Sequence, residues 1–355
     1  MENNMLLFVG SYTNKHPSGI NIFTFNEKDG SVIHINAVDG IKNPSFISID
    51  EKNNHLFAVS ETAMTDDKEG GQVFSYEVCK ETGKLTYLSA EHTNGGAPCH
   101  LSVDNNGKNI YVVNYSGGNL CRFSVDETGH IRPFDDLVQH SGKSVRTDRQ
   151  EGPHPHSIIL DKLNRFAYVP DLGLDKIFIY QLDQERHSFI AFKEINVHLG
   201  AGPRHLVFHP NLPYAYVINE LDCTICAFSV EMDGTLKMLQ TIPSLIEFNV
   251  IEDSGADIHI APNGKFLYAS NRGADSITIF KINQEDGSLT RIGICSTYGK
   301  TPRNFAITPN GKFLFAANQN SDSIVIFKID EETGLLTKPI NTINVSEPVC
   351  IKFFI

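Results

Sequence analysis

Four segments of this 355-residue chain carry side chains suited to proton transfer and anion binding. Gly152-Pro-His-Pro-His-Ser157 holds two imidazoles, His154 and His156. Gly202-Pro-Arg-His205 sets Arg204 beside His205. Ser270-Asn-Arg-Gly273 and Pro302-Arg-Asn304 add Arg272, Arg303 and Asn304. Glu61, Glu220 and Asp257 are candidate carboxylate partners, and His100 follows Pro98-Cys99 in a similar context. Imidazole or carboxylate can take a proton from water. Guanidinium can neutralise a developing oxyanion and grips phosphate bidentately. Such a set suits hydrolysis or proton movement on an anionic substrate. His154 and His156 also invite a metal reading, yet catalytic zinc takes three protein ligands and no HExxH-type spacing is present, so no metal is expected. Any one of these residues could instead brace a loop; the case rests on whether they meet.

A repeat decides that. Seven segments share an aliphatic first, an aromatic fourth and an apolar sixth residue, from Ile20-Asn-Ile-Phe-Thr-Phe25 and Val73-Phe-Ser-Tyr-Glu-Val78 to Ile324-Val-Ile-Phe-Lys-Ile329. In phase with them run Pro-led apolar segments beginning at Pro44, Pro98, Pro155, Pro203, Pro302 and Pro348, with a degenerate copy at Gly255. Their mean spacing of about 51 residues is near the range of propeller blades. A third segment follows each, such as Tyr111-Val-Val-Asn-Tyr115 and Tyr216-Val-Ile-Asn-Glu220. Asn106-Gly107, Asn263-Gly264 and Asn310-Gly311 mark hairpins between the first and second strands. Asp233-Gly234, Asp286-Gly287 and Thr333-Gly334 mark the turns after the third; the fourth repeat has Glu185-Arg186-His187 there instead.

The expected fold is therefore all-β: a seven-bladed propeller of four-stranded antiparallel blades, one domain over residues 1–355. The N-terminus opens on a second strand at Phe8 and the C-terminus closes on a first strand at Pro348. Pairing those ends would leave no open seam. No Trp is present, so the WD signature is absent. Two poorly patterned stretches, Ala63–Gly71 and Phe134–Gly152, read as long loops, the second polar enough to act as a lid or to be plain surface.

In such a meander, the start of the first strand and the end of the second share one rim. That rim gathers Tyr12, Ser45, Glu61, His100, Tyr115, His154, His156, Asp171, Arg204, His205, Glu220, Asp257, Arg272, Arg303, Asn304 and Gln319. Three arginines crowded there repel one another unless an anion joins them.

The net charge of −12 disfavours nucleic acid and anionic membranes as partners. The apolar run Met5–Val9 is too short for a signal peptide or a membrane span. Seven cysteines at irregular spacing point to no disulfide framework and to a reducing cytoplasm; Cys223-x-x-Cys226 lacks a second pair and reads as core.

The motifs Gly152-Pro-His-Pro-His-Ser157, Gly202-Pro-Arg-His205, Asn219-Glu220 and Ser270-Asn-Arg-Gly273, with Phe8-Val-Gly-Ser-Tyr-Thr13, resemble those of the seven-bladed propeller lactonases. That family includes bacterial 6-phosphogluconolactonase and a fungal enzyme that cyclises carboxymuconate. The resemblance spans essentially the whole chain. It implies lactone hydrolysis on a phosphorylated sugar lactone without a cofactor, as one step of the pentose phosphate pathway. The groups proposed to act in the muconate-cyclising relatives match His156, Arg204, Glu220 and Arg272. His154, His205, Arg303, Asn304, Asp257, His100 and Glu61 are then expected to bind substrate. Asp257 departs from the family pattern, where a longer Glu is expected. Two other readings stand beside hydrolysis: a cycloisomerase or lyase acting on an unsaturated dicarboxylate, and a non-catalytic propeller that binds a protein or sugar. For hydrolysis, His156 or Glu220 would be the base. His156 is preferred for a pKa near working pH; Arg204 would face the oxyanion, and Arg272 and Arg303 the phosphate.

Overall fold

A computed structural model describes residues 4–65, 68–249 and 252–354. It contains seven four-stranded sheets, each in simple neighbour order, and one two-stranded hairpin. All neighbouring strands within the sheets pair antiparallel. The fold is the expected seven-bladed propeller. Blade 1 joins Asn4–Ser11, Ser18–Asn26 and Val32–Asp39 to the last strand, Pro348–Phe354. Leu7 lies opposite Phe353 and Phe8 opposite Lys352, so the chain ends share one blade. This closure removes the unpaired edge that an open ring would present.

Each blade's outward run is legible in its residues. In Ser276–Ile282 the apolar positions are buried and Lys281 is exposed. The core lies between blades rather than within one. Phe25 of blade 1 packs edge-on against Phe313 and Phe315 of blade 7, at 5.1 and 4.9 Å between ring centres. Such aromatic pairs add to area burial.

A polar staple repeats beside this packing. Tyr168 donates its hydroxyl hydrogen to the Gly234 carbonyl of the next blade at 2.7 Å. Tyr216 does so to Gly287 at 2.9 Å, and Tyr268 to Gly334 at 2.7 Å. These glycines have φ between 73° and 89°, the left-handed conformation that favours Gly. Tyr111 stands in phase, but its hydroxyl reaches no turn carbonyl and has the Gln184 side chain beside it. The turn it should meet is the one without Gly: His187 takes the positive φ there, at 53°. The Arg122 guanidinium lies 5.6 Å from the Tyr111 ring instead.

Two expectations change. Residues 134–139 are not loop: Ile131–Gln139 is the outer strand of blade 3. Its residues alternate too weakly because an outer strand buries little. Within Ala63–Gly71, Met64–Thr65 pairs with Lys68–Glu69 as a short hairpin, and residues 66 and 67 lie outside the described residues.

The staple generates a stability test. Tyr216→Phe removes a hydrogen bond and strands a buried carbonyl, so it should lower the unfolding free energy by about 1 kcal/mol. Tyr111→Phe removes no such bond and should stay within about 0.5 kcal/mol of the parent. Urea denaturation of both variants checks this; equal losses would contradict the staple.

Candidate active site

The site is built on a recurring irregularity. Where the innermost strands reach one mouth of the ring, their register with the second strand slips by a residue. Pro203 pairs with Asn219 but His205 with Ile218, so Arg204 is skipped. The same slip skips Cys99, Arg303 and Val349. A β-bulge re-aims the side chain it frees. Cys99, Arg204, Arg303 and Val349, joined by His156, all line one narrow recess with Ser45, Phe46, Glu61, His205 and Asn304. From the second strands, Asn114, Asn219, Asn271 and Asn318 are buried, and their side-chain amides tie down neighbouring loops or strands. The next residue in each case, such as Tyr115, Glu220 or Arg272, then stands at the mouth.

Glu220 is the hub. It is 3% exposed. Its Oε2 meets Arg204 Nε at 3.0 Å and Arg272 Nη2 at 2.8 Å; its Oε1 meets Arg149 Nη2 at 2.5 Å. Burial alone would raise this carboxyl's pKa, but the guanidiniums of Arg272, Arg204 and Arg149 outweigh it and hold it well below the usual range. Glu220 is therefore ionised and weakly basic.

Arg204 is fixed from both sides. Nη1 donates to the Ala256 carbonyl at 2.6 Å and to His205 Nε2 at 3.1 Å. His205 in turn donates from Nδ1 to Asp257 Oδ1 at 2.7 Å, which sets its tautomer. Burial, then Arg204, lowers the His205 pKa to about 4, so the imidazole is neutral. Arg204 Nη2 makes no hydrogen bond among the described residues and is left for a ligand. Arg303 lies 5.7 Å from the Tyr12 ring centre and likewise has no hydrogen bond or ion pair from its side chain among those residues. The Tyr12 hydroxyl donates to both oxygens of Glu61 at 3.1 Å.

His156 is buried, with Nδ1 3.7 Å from Cys99 Sγ and Nε2 3.9 Å from Glu220 Oε2. Cys99 Sγ lies 3.5 Å from the His156 carbonyl, which can take its S–H and leave sulfur to receive Nδ1–H. Nε2 would then be the free base. The expectation of a His156 pKa near working pH is corrected: burial first, then Arg204, pushes it well below the ordinary imidazole value. The ring is neutral at pH 7 and able to accept a proton.

The structure brings together His156, Arg204, His205, Glu220, Arg272, Arg303 and Glu61. Three other expected contacts sit beneath the mouth with their polar atoms engaged. His100 stacks on Phe46 at 4.0 Å and accepts the Ile158 amide hydrogen at 3.4 Å. Asp257 accepts from His205, His259 and Asn304, and Asn304 Oδ1 accepts from Ile351. These contacts brace the site, while Asn304 also lines the recess; a shorter Asp at 257 suffices for the contacts it makes. His154 stacks on Tyr115 at 4.5 Å and bonds the Tyr115 carbonyl at 3.0 Å, apart from His156. Asp171 is a buried partner of His140 at 2.6 Å, filling the Asn position of its blade. Among the described residues no cluster of three or more His, Cys, Asp or Glu is placed to hold a metal.

Two residues escaped the sequence reading. Cys99 occupies the His156 position, and the signal was its place directly after Pro98. Arg149 comes from the 140–152 loop, whose polar residues gave no register to count from.

The buried histidines have a pH consequence. His100 and His156 are depressed well below 6.5 and His205 to about 4, chiefly by burial. Their contribution to stability is full above about pH 6.5. As pH falls toward 4 the unfolded chain binds protons that the folded one refuses, and stability is lost. His198, raised to about 9, acts in the opposite sense, but its gain is complete by pH 6.5. Glu220 and Asp257 add their losses only below about pH 4.5. The urea midpoint should therefore fall between pH 6.5 and 5; a flat or rising midpoint would contradict the neutral histidine cluster.

Comparison with known proteins places this geometry. The family model described as "Lactonase, 7-bladed beta-propeller" matches residues 6–353. A 6-phosphogluconolactonase of Formosa agariphila is 39% identical over 309 residues, covering 85% of this chain and 86% of that one. A Bacillus subtilis protein of the same name is 33% identical over 353 residues, covering 98% and 97%. The solved periplasmic gluconolactonase of Pseudomonas aeruginosa superposes with a TM-score of 0.93 at 28% identity, covering 99% of each chain. The chain belongs to the seven-bladed β-propeller lactonase family.

Proposed function

We propose that this protein hydrolyses 6-phospho-D-glucono-1,5-lactone to 6-phosphogluconate, the lactone-opening step of the pentose phosphate pathway. The observation that carries the reading is one mouth where a neutral imidazole nitrogen without a hydrogen bond stands beside a fixed guanidinium with an open donor. His156 Nε2 takes a proton from water as its oxygen attacks the lactone carbonyl. Negative charge then builds on the carbonyl oxygen, and Arg204 Nη2 donates to it. Glu220 and His205 hold Arg204 in place, so the donor needs no reorganisation. Collapse of the tetrahedral intermediate breaks the bond to the ring oxygen, which leaves as a hydroxyl with the proton returned from His156. The product is the open-chain acid, which then ionises.

Arg272 and Arg303 bind the phosphate. Arg303, without an ion pair of its own, supplies charge that an anion can use at little cost. Anion entry also offsets the positive field of Arg204 and Arg303 that weakens His156, so substrate binding strengthens its own base. A net charge of −12 makes such a local basic pocket necessary for an anionic substrate. Seven free thiols support a reducing compartment, the cytoplasm. No helix is long and apolar enough to cross a membrane among the described residues.

Arg204→Met should lower kcat about 10²-fold or more on freshly generated lactone, with the circular dichroism of the parent. His156→Asn should lower it comparably by removing the base. Rates are read against spontaneous hydrolysis. Near-parental turnover in either folded variant would remove that residue from the mechanism.

A further inference from the structure

The loop over residues 140–152 delivers one more arginine to the mouth, and its construction differs from that of the others. Arg204 and Arg272 sit on strands, with side chains 2% and 14% exposed; Arg149 sits on the loop at 37%. Its backbone is nonetheless fixed. Gln150, fully buried, donates to the Leu172 carbonyl at 2.9 Å and to Asp175 Oδ1 at 2.8 Å. Asp175 also accepts from Ser144 at 2.5 Å and from the Gly200 and Gly202 amides at 2.7 and 2.8 Å. One buried carboxylate thus ties the loop to the turn that leads into Arg204. The result is a pinned backbone, so any movement of Arg149 falls to its side chain. That side chain rests on Tyr115 Oη at 3.3 Å and on Glu220 Oε1, whose single charge is already shared with Arg204 and Arg272.

We propose that Arg149 is the residue that selects phosphorylated over unphosphorylated lactone, exchanging its share of Glu220 for the substrate phosphate. The inference rests on the hydrolase reading above. With the reacting carbonyl against His156 and Arg204, the phosphate held by Arg272 and Arg303 comes within reach of Arg149, which shares Glu220 with Arg272. The recess encloses only about 10 Å³, far below the size usual for ligand pockets, so a side chain moves on binding. Arg149 can do so without unfolding a strand. A phosphate dianion offers it more charge than one oxygen of a carboxylate held by two other guanidiniums, and the fork geometry of Arg matches it.

The test compares Arg149→Met, Arg149→Lys and the same-loop control Arg146→Met, whose partner is the exposed Asp148. Each full-length protein is assayed on 6-phosphogluconolactone and on unphosphorylated gluconolactone. The ratio of kcat/KM for the two should fall about tenfold or more in Arg149→Met, mainly through KM, with partial recovery in Arg149→Lys. It should hold in Arg146→Met. An unchanged ratio in Arg149→Met, or an equal fall in Arg146→Met, overturns the assignment. A parent inactive on both lactones removes the hydrolase reading instead. Calorimetry with 6-phosphogluconate then still decides for Arg149: binding about tenfold weaker in Arg149→Met supports it, while equal or absent binding overturns it.

Discussion

A shortage of negative charge governs this mouth. Glu220 is buried and meets three guanidinium groups at once, with Arg303 a fourth nearby. Charges withdrawn from water are costly unless each is well paired. One carboxylate cannot fully pair three cations, so the arrangement persists only because other contacts over-determine it. Arg204 is held by a carbonyl and an imidazole, that imidazole by Asp257, and Asp257 by His259 and Asn304. Burial first, and this field after it, keep the neighbouring histidines neutral. The site is thus strained electrostatically in a direction that an incoming anion relieves, and the relief falls on the groups that would act on it.

The ring supplies the geometry for this. Seven first strands bring their ends to one axis, and a one-residue slip at most of those ends frees a side chain from the ladder. Because the slip recurs, one fold position yields Cys99, His156, Arg204, Arg303 and Val349 around one recess. Chemistry here is a choice of residue at a repeated bulge. That separates what the propeller fixes from what this chain adds.

The blade count, the shared end blade and the facing of the motifs were legible because period and phase are properties of the chain alone. So was the meeting of Arg204, Glu220 and Arg272, since the rim follows from the meander. What was not legible depends on contacts outside the repeat. Whether His100 or Cys99 faces the mouth turns on a bulge that spacing does not reveal. The outer strand to Gln139 buries too little to show alternation. Arg149 reaches Glu220 through the tie between Gln150 and Asp175. The protonation of His156 is set by burial, which no motif states.

The most direct measurement is turnover of freshly generated 6-phosphogluconolactone by the purified chain, with unphosphorylated gluconolactone beside it and a chelator present or absent. The account predicts hydrolysis well above the spontaneous rate, indifferent to chelator and favouring the phosphorylated lactone. A rate no faster than the spontaneous one for both lactones would contradict it.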